Sequence, residues 1–433
     1  MARLGARIRK GTMETMKTLG TAAVARSPMT PVTNVAKAFS VPGMLPSPTV
    51  GQGLKTTNGN MVRLGDVATY INGYAFKPAD WSMEGVLIIR IQDLTGNSYK
   101  ANRFKGKIDK RYEVLNGDVL ISWSASLGVY VWSGEKAVLN QHIFKVQFDK
   151  TQVDKSFFVH QVECILKRAI GEAHGATMKH LTKPAFDALP FYLPDIQKQK
   201  AIADSLDKIS HLIALRKRQL AKLDELVKSR FVEMFGDPVS NPKKWNVCRI
   251  REFADVRIGP FGSLLHKEDY IQGGHPLVNP SHMINGKIVP DNDLTLSESK
   301  YKELGVYKLR PNDIVIARRG EIGRCALVES EGFFCGTGSM FVRIIKDCRA
   351  DYLQRVISYP TFAARLEDAA VGITMKNINA GMIENCLVPL PPLALQREFA
   401  AFVEKVDKLE FKAKASLEKL ETLKKAMMQK YFG

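Results

Sequence analysis

The sequence predicts an α+β fold in which two tandem-repeated α+β domains are each followed by a long helix. Three observations support this prediction: a gapless internal repeat, short β-rich runs in two separate parts of the chain, and two segments with the apolar spacing of a coiled coil. The two long helices are predicted to pair as an antiparallel coiled coil, because each supplies the other with an apolar face of matching length.

A stretch of seven residues occurs twice in the chain. "GATMKHL" at residues 175–181 returns as "GITMKNI" at residues 372–378, a shift of 197 residues. The gapless pairing of residues 175–236 with residues 372–433 contains 18 identities in 62 positions, whereas unrelated sequences give about 4. The two halves of the chain should therefore share one architecture.

Short strands are predicted ahead of each repeated segment. The runs "GVLIIRIQDL", "DVLISW" and "HIFKVQF" precede the first copy, and "DIVIAR", "CALVES" and "MFVRII" precede the second. Gly, Asn and Pro separate them, and the helical patterns "KSFFVHQVECILKRAI" and "ADYLQRVISYPTFAARL" are interleaved. These patterns predict compact α+β domains at residues 61–193 and at residues 237–390, the second range including a short linker.

A long helix is predicted to close each half, at residues 194–236 and 391–433. Proline lies before or in the first turn in "LPDIQKQ" and "LPPLALQ", where it does not break a helix. Apolar residues then recur at alternating steps of four and three, which is the seam spacing of a coiled coil. At 1.5 Å per residue, each helix should be about 55–60 Å long.

The predicted seam is mostly apolar but not entirely so. Its apolar residues are Ile202, Leu206, Ile209, Ile213, Leu220, Leu223, Val227 and Met234 in the first copy, and Phe399, Val403, Val406, Leu417, Leu420, Met427 and Tyr431 in the second. Four charged residues, Arg216, Arg230, Glu410 and Lys424, also fall at seam positions and need partners.

Residues 1–60 differ in composition from the rest of the chain. They contain eight Lys or Arg residues, one acidic residue, and several Pro, Ser, Thr and Gly residues. This composition predicts a basic, disordered N-terminal extension, with a transit-like presequence as the alternative.

The charge of the chain points to a polyanionic partner. Lys and Arg number 63 and Asp and Glu number 44, a net charge of +19, and nucleic acid is the expected partner because no basic amphipathic membrane anchor is evident. No stretch approaches the roughly 20 apolar residues of a membrane-spanning helix, so no membrane partner is predicted. The six cysteines include no Cys-x-x-C pair, which indicates reduced thiols and a cytoplasmic location.

No catalytic or metal site is predicted. The chain has no G-x-x-x-x-G-K-[ST] loop, no H-E-x-x-H pair, no G-x-G-x-x-G after a strand, and no Asn/Asp-Pro-Pro-aromatic tetrapeptide. Pro290 and Asp291 followed by Glu298 and Lys300 resemble a Mg²⁺-dependent nuclease arrangement. We disfavour that interpretation, because the segment lacks strand patterning and the other half of the chain has no counterpart.

Candidate DNA contacts lie in two loops that follow strand patterns. "IARRGEIGR" places Arg318, Arg319 and Arg324 in a Gly-rich loop, and Arg is the side chain best suited to bidentate contact with guanine in the major groove. The matching loop "SWSASLG" carries Ser122, Trp123, Ser124 and Ser126 instead. Different side chains at one scaffold position are expected if each domain reads a different sequence; a solvated surface loop is the alternative.

The repeated "G-x-T-M-K" motif supplies a second set of candidates. Gly175 and Gly372 permit an unusual backbone angle. Thr177 and Lys179 in the first copy, and Thr374 and Lys376 in the second, could then donate to DNA phosphates, a role that does not depend on base sequence. The alternative is a structural turn that leads into the long helix.

The order and duplication of these features resemble the specificity subunit of type I restriction-modification systems. The resemblance covers about residues 61–433 and rests on two diverged β-rich domains, each followed by "G-x-T-M-K", "LP…Q" and a long helix ending in "FG". It implies two target-recognition domains that each read one half of a split site in double-stranded DNA, separated by an antiparallel pair of helices.

The resemblance also implies partners and a division of labour. The chain would be a non-catalytic DNA-recognition subunit in the prokaryotic cytoplasm that recruits methyltransferase (modification) subunits and restriction/translocase subunits. It would bind no cofactor directly, with S-adenosylmethionine, ATP and Mg²⁺ expected on those partners. The alternatives are a single-chain enzyme that modifies or cleaves DNA through an unrecognised site, and a coiled-coil assembly scaffold.

The predicted helix pair should determine the gap between the two half-sites. Inserting four residues after Leu212 and four after Leu409 lengthens both helices by about 6 Å. Because duplex DNA rises about 3.4 Å per base pair, the preferred gap should grow by about two base pairs. Binding should also weaken, since two base pairs turn the DNA through about 70°.

Selection from a DNA library with randomised spacer length measures that gap for the complex with its modification subunits. An insertion in only one helix is the control, because it shifts the seam instead of lengthening the pair. An unchanged gap in a doubly extended variant that folds and binds would contradict this arrangement of domains and helices.

Overall fold

The computed structural model describes residues 60–97, 101–124, 126–172, 182–261, 264–370 and 377–433. The predicted N-terminal extension, residues 1–60, lies outside these ranges except for its last residue. The chain divides into two compact units. Unit 1 runs up to Ser210 and includes Leu423–Gly433, and unit 2 comprises His211–Thr422.

Unit 1 begins with strands and short helices and ends with longer helices. Its strands are β1 (Asn60–Arg63), β2 (Thr69–Asn72), β3 (Val86–Ile89), β4 (Arg103–Phe104), β5 (Glu113–Val114), β6 (Val119–Ser122), β7 (Gly128–Val131), β8 (Ala137–Leu139), β9 (Ile143–Gln147) and β10 (Pro190–Leu193). Its helices are α1 (Leu64–Val67), α2 (Ile91–Leu94), α3 (Lys155–Glu172), α4 (Lys183–Asp187) and the first part of α5 (Ile196–Phe235).

Unit 2 repeats this plan. Its strands are β11 (Val247–Arg249), β12 (Ala254–Ile258), β13 (Tyr270–Ile271), β14 (His275–Val278), β15 (Met283–Ile284), β16 (Lys287–Ile288), β17 (Thr295–Leu296), β18 (Ile314–Ala317), β19 (Cys325–Leu327), β20 (Phe334–Cys335), β21 (Ser339–Ile344) and β22 (Leu387–Pro389). Its helices are α6 (Glu298–Glu303), α7 (Ala350–Ile357), α8 (Pro360–Ala369), α9 (Ala380–Glu384) and α10 (Leu393–Phe432), whose last residues belong to unit 1.

The two units share the topology of one sheet and differ in that of a second, where the parallel pair is central in unit 1 and at the edge in unit 2. An antiparallel sheet has the order β2-β9-β6-β7 in unit 1 and β12-β21-β18-β19 in unit 2. A second sheet, β4-β3-β8-β5 or β13-β17-β14-β20, contains one parallel pair in each unit, β3 with β8 and β14 with β20. A two-stranded ladder, β1-β10 or β11-β22, precedes each long helix. The predicted α+β fold with a tandem repeat is confirmed.

One predicted helical pattern is divided in the structure. The segment "ADYLQRVISYPTFAARL" forms α7 and α8, with a break at Ser358 and Tyr359. Pro360 is the first residue of α8. Proline disfavours the helical conformation of the residue before it and cannot donate the backbone hydrogen bond of a helix interior, so it starts a second helix.

The long helices run antiparallel where they contact each other in unit 2. Arg230 Nη2 lies 2.9 Å from Glu398 Oε1, and Lys217 Nζ lies 2.8 Å from Glu421 Oε1. Residue numbers therefore rise along α5 as they fall along α10. The predicted antiparallel pairing is confirmed, and the predicted apolar seam residues are all buried or half-buried.

The charged seam residues find polar partners. Arg230 pairs with Glu398, as described above, and Arg216 Nε donates to Ser416 Oγ at 3.2 Å. In unit 1, the ammonium of the buried Lys424 lies 3.9 Å from Glu163 Oε2 on α3. Since a charge buried without a partner is costly, these partners explain how the seam accepts charged residues.

The end of α10 packs differently from the prediction. Met428 and Phe432 are buried in unit 1, while the predicted seam residues Met427 and Tyr431 are half-buried. The ring of Phe432 lies 5.5 Å from that of Phe157 on α3. The apolar stripe shifts here by one residue, because α3 is an additional neighbour.

A buried glutamine fixes the start of each long helix. Gln199 and Gln396 occupy equivalent positions of the repeat and are 1% and 0% exposed. Gln199 accepts from the backbone N–H of Asp154 at 2.8 Å, next to the start of α3, and donates to a proline carbonyl at 2.8 Å. Gln396 accepts from the N–H of Arg349 at 2.8 Å, next to the start of α7, and donates to a proline carbonyl at 2.7 Å. Each amide therefore joins the long helix to a neighbouring helix.

We expect Gln199→Ala and Gln396→Ala each to lower the free energy of unfolding by about 1–3 kcal/mol, because each leaves a buried N–H and a buried carbonyl without partners. Gln197→Ala is the matched control, since Gln197 lies in the same first turn of α5 but is exposed. Urea denaturation of the full chain measures the difference. Losses no larger than that of Gln197→Ala would show that the buried amides do not hold the helices.

Candidate nucleic-acid interface

The loops that carry the predicted DNA contacts follow equivalent strands. In unit 1 the loop follows β6, whose last residue Ser122 pairs with Gly128 at the start of β7. In unit 2 it follows β18, and the N–H of Ala317 donates to the carbonyl of Arg324 at 2.9 Å. Both strands lie inside the four-stranded antiparallel sheets. The two loops therefore leave equivalent ends of equivalent sheets, one in each unit.

Backbone hydrogen bonds place Trp123 and Arg318 at the same position of the scaffold. The N–H of Trp123 donates to the carbonyl of His142 at 3.2 Å, directly before β9. The N–H of Arg318 donates to the carbonyl of Gly338 at 3.0 Å, directly before β21. An indole in one unit thus takes the place of a guanidinium in the other.

A glycine at the end of the neighbouring strand completes this shared framework. The N–H of Gly73 donates to the carbonyl of Ile143 at 3.0 Å, and the N–H of Gly259 donates to that of Ser339 at 3.0 Å. A Cβ atom at these glycines would lie 1.9 Å and 2.1 Å from a backbone oxygen, which no side chain tolerates. Sequence analysis missed both residues, because the strands that they follow, β2 and β12, were not among the predicted runs.

The Trp123 side chain is held from several sides. Its ring stacks on Phe144 at 5.7 Å and meets the edge of His142 at 4.9 Å. Its Nε1 donates to Asn72 Oδ1 at 3.1 Å. Asn72 is exposed at the end of β2 and was not predicted. Because an amide can form a bidentate contact with adenine, Asn72 joins the candidate residues of unit 1.

The predicted serines stabilise the loop from within. Ser122 and Ser124 are both buried, and the Ser122 hydroxyl donates to the carbonyl of Ser126. A buried hydroxyl makes no direct contact with DNA in this conformation. Of the four residues that sequence analysis named in this loop, Trp123 is half-buried and Ser126 is exposed.

The three predicted arginines differ in their surroundings. Arg319 is exposed. Arg318 is half-buried, and burial together with the neighbouring Arg319 charge lowers the pKa of its guanidinium from the ordinary value. Arg324 forms an ion pair with Glu321 and donates to the carbonyl of Pro280 at 3.2 Å. Arg319 is therefore the most accessible cation of this loop.

The repeated junction motif ends beside the unit 2 loop. The N–H of Ile378 donates to the carbonyl of Arg318 at 3.1 Å, and Arg319 forms an antiparallel bridge with Asn377. The four predicted phosphate contacts, Thr177, Lys179, Thr374 and Lys376, lie outside the described residues. Asn377 directly follows Lys376 in the sequence.

Two side chains of the nuclease-like pattern, those of Glu298 and Lys300, contact oppositely charged or titratable groups, and Asp291 accepts from the backbone N–H of Asp293 at 2.9 Å. Glu298 Oε2 lies 2.6 Å from His275 Nε2, and Lys300 Nζ lies 3.2 Å from Glu303 Oε1. Within the described ranges, no group of three or more His, Cys, Asp or Glu side chains could hold a metal ion. Nor does any helix of the described part combine the length and hydrophobicity needed to cross a membrane.

The chain matches a known family over most of its length. The model of the type I restriction modification DNA specificity domain matches residues 58–225 and again residues 242–422. The type I restriction enzyme EcoBI specificity subunit of Escherichia coli is 23% identical over 404 residues, which cover 86% of this chain and 85% of that one. The MjaVIII specificity subunit of Methanocaldococcus jannaschii is 22% identical over 391 residues, which cover 85% and 90%.

Two solved structures have the same fold. The S subunit of a type I restriction-modification system from M. genitalium superposes with a TM-score of 0.55 at 14% identity, covering 90% of this chain and 99% of that one. A chain of a type I R-M system, solved to explain complex assembly and conformational transition, gives 0.54 at 15% identity, covering 87% and 98%.

Proposed function

The chain belongs to the family of type I restriction-modification DNA specificity proteins, and on that premise we propose that it is the non-catalytic subunit that selects the DNA site. Each unit reads one half of a bipartite site in double-stranded DNA. The paired long helices determine the gap between the half-sites and bind the modification subunits, which in turn associate with restriction/translocase subunits.

The observation that carries this proposal is the shared position of Trp123 and Arg318. The same backbone bonds hold both residues at the start of a loop, while their side chains have different chemistry. Arg318 and Arg319 are suited to guanine. Trp123, with the exposed amide of Asn72 beside it, offers an apolar face and a group suited to adenine. Two half-sites of different sequence require different side chains at the DNA-contacting positions, and the two units present such side chains on the same backbone framework.

The charge of the chain supports DNA as the partner. A net charge of +19 favours binding to phosphates and releases condensed counterions on binding, so affinity should fall steeply as salt rises. Phosphate contacts of this kind fix the register of the protein on the duplex, while base contacts select the sequence. We propose that the two G-x-T-M-K motifs supply some of these phosphate contacts, through Thr177, Lys179, Thr374 and Lys376.

The chemical steps belong to other subunits in this proposal. S-adenosylmethionine is bound by the modification subunits, and ATP and Mg²⁺ are bound by partner subunits as well. The support from this chain is that Glu298, one of the two carboxylates with a nuclease-like spacing, is engaged by His275 and Lys302. Since the DNA substrate lies in the prokaryotic cytoplasm, we place the subunit there.

A repeated set of exposed leucines supports binding of partners along the helices. Leu212 and Leu226 on α5 recur as Leu409 and Leu423 on α10, at the 197-residue shift of the repeat. All four are between 46% and 50% exposed, on helices whose seam is already occupied. Related apolar positions on both helices would suit two copies of the same partner.

Replacing Arg319 with Ala should relax recognition of one half-site by about 1–3 kcal/mol if its side chain contacts a guanine. The measurement is selection from a randomised DNA library by the complex with its modification subunits. Arg251→Ala is the control, because Arg251 is an exposed arginine of the same unit that bonds Asn385 at 2.9 Å. Equal losses on cognate and scrambled DNA would assign Arg319 to phosphate binding, and DNA methylation or cleavage by the chain alone would overturn the non-catalytic role.

Replacing Leu212 and Leu409 together with Ser should weaken association with the modification subunits at least about tenfold, since both side chains would lose apolar contact area. Replacing Lys208 and Lys405 together with Ser is the matched control, because these lysines are also exposed and also recur in the repeat. Titration of labelled modification subunit measures the affinity. An unchanged affinity, with folding intact by circular dichroism, would remove these leucines from the interface.

A further inference from the structure

Unit 2 contains a basic cleft away from the loops described above. Its volume is about 490 Å³, and its lining includes the side chains of Arg257, Lys308, Arg310 and Arg343, together with Tyr301 and a single acidic residue, Glu331. A cleft of this size accommodates a small ligand or part of a larger one. Four cations around one space would repel one another unless anions lie between them.

A buried carboxylate fixes the wall of this cleft. Asp313 is 1% exposed and accepts from Arg343 Nε at 2.8 Å and from Arg343 Nη2 at 2.6 Å. It also accepts from the backbone N–H of Arg310 at 2.8 Å, and Arg343 Nη2 donates to the carbonyl of Lys308 at 3.2 Å. Asp313 therefore neutralises Arg343 and holds the segment that carries Lys308 and Arg310.

Lys308 and Arg310 keep their charges available to a ligand. Lys308 Nζ lies 4.1 Å from the centroid of the Tyr301 ring, which itself stacks on His275 at 3.6 Å. Over the described ranges, no ion pair within 4.0 Å involves either Lys308 or Arg310. With the pair of Arg343 and Asp313 set aside, Arg257, Lys308, Arg310 and the carboxylate of Glu331 line the cleft. Arg257 lies 4.0 Å from Asp255, so Lys308 and Arg310 are the cations left for a ligand.

The fold does not require these cations, because unit 1 builds the same wall without them. The N–H of Leu115 donates to Asp118 Oδ2 at 2.9 Å, as the N–H of Arg310 donates to Asp313. Glu113 pairs with a residue of β8, and Lys308 pairs in the same way with a residue of β20, so the two residues are equivalent. Unit 1 thus has an acidic residue in place of Lys308 and an apolar residue in place of Arg310. Charge that the scaffold does not need points to a ligand.

We propose that this cleft binds a phosphate oxyanion, with Lys308 and Arg310 as its principal donors and Arg257 at its margin. Cations that donate to oxyanions form short, strong hydrogen bonds, and Arg can make two at once. The phosphate could belong to the DNA backbone, in which case the inference rests on the proposed function. It could equally be free phosphate or a phosphorylated small molecule, which does not depend on that function.

The test uses the full-length chain carrying Lys308→Ala and Arg310→Ala together. The matched control carries Lys287→Ala and Lys302→Ala, which remove two more exposed cations from the same unit outside the cleft. Two quantities are measured: the shift in Tm on adding inorganic phosphate at constant ionic strength, with chloride as reference, and the dependence of DNA affinity on salt for cognate and scrambled duplexes.

If the site binds one backbone phosphate, the slope of log affinity against log salt should fall in magnitude by about one in the cleft variant, equally for both duplexes, and should stay at the wild-type value in the control. If it binds free phosphate, the wild type and the control should gain a phosphate-dependent rise in Tm that the cleft variant lacks, with an unchanged slope. No difference between the cleft variant and the control in either measurement overturns the proposal. Absence of DNA binding by the wild type would count against the proposed function alone, because the Tm measurement would still show whether the cleft binds phosphate.

Discussion

The attachment of each long helix to the unit in which it begins is the constraint on which the rest of the structure depends. Gln199 and Gln396 bury an amide whose two polar atoms are both bonded to backbone groups. Because an amide buried without partners costs free energy, these bonds hold the first turn of each long helix against the start of α3 or α7. The end of the other helix packs on the same core, as Phe432 does beside Phe157, so one misplaced amide would disturb both helices.

Much of this architecture could be predicted from the sequence, because its signals are local or periodic. The repeat, the seam and the proline at the start of each long helix can all be recognised from the spacing and type of residues alone. The equivalence of Trp123 and Arg318 could not be found in the same way. Their shift is 195 residues and that of Gly73 and Gly259 is 186, whereas the helical repeat has a shift of 197. Insertions and deletions between strands change the number of residues that separates equivalent positions in the two units. The equivalent residues are therefore identified only by their backbone hydrogen bonds.

The candidate site was predictable as a location but not as a set of available side chains. Ser122 ends a strand whose four residues are all buried, since both faces of β6 are covered, and no alternation of polar and apolar residues marks which side is exposed. Arg324 is occupied by Glu321, whereas Arg319 is exposed. Exposure and pairing depend on segments that are distant in sequence, so residue type identified the loop without ranking its members.

The comparison of the units also explains how one scaffold carries two chemistries. The side chains present in both are those that bond to the backbone, such as Asp118 and Asp313, which accept from equivalent N–H groups. Glu113 and Lys308 occupy one position with opposite charges, and each carbonyl oxygen accepts from a cation on a strand of the antiparallel sheet, Lys145 on β9 or Arg343 on β21. The side chains there make different contacts, Glu113 with Lys136 at 2.7 Å and Lys308 with the Tyr301 ring at 4.1 Å, so the charge can be reversed while the backbone contact is kept. Each unit can therefore change the ligand it binds independently of the other, while the helix attachments that both depend on stay the same.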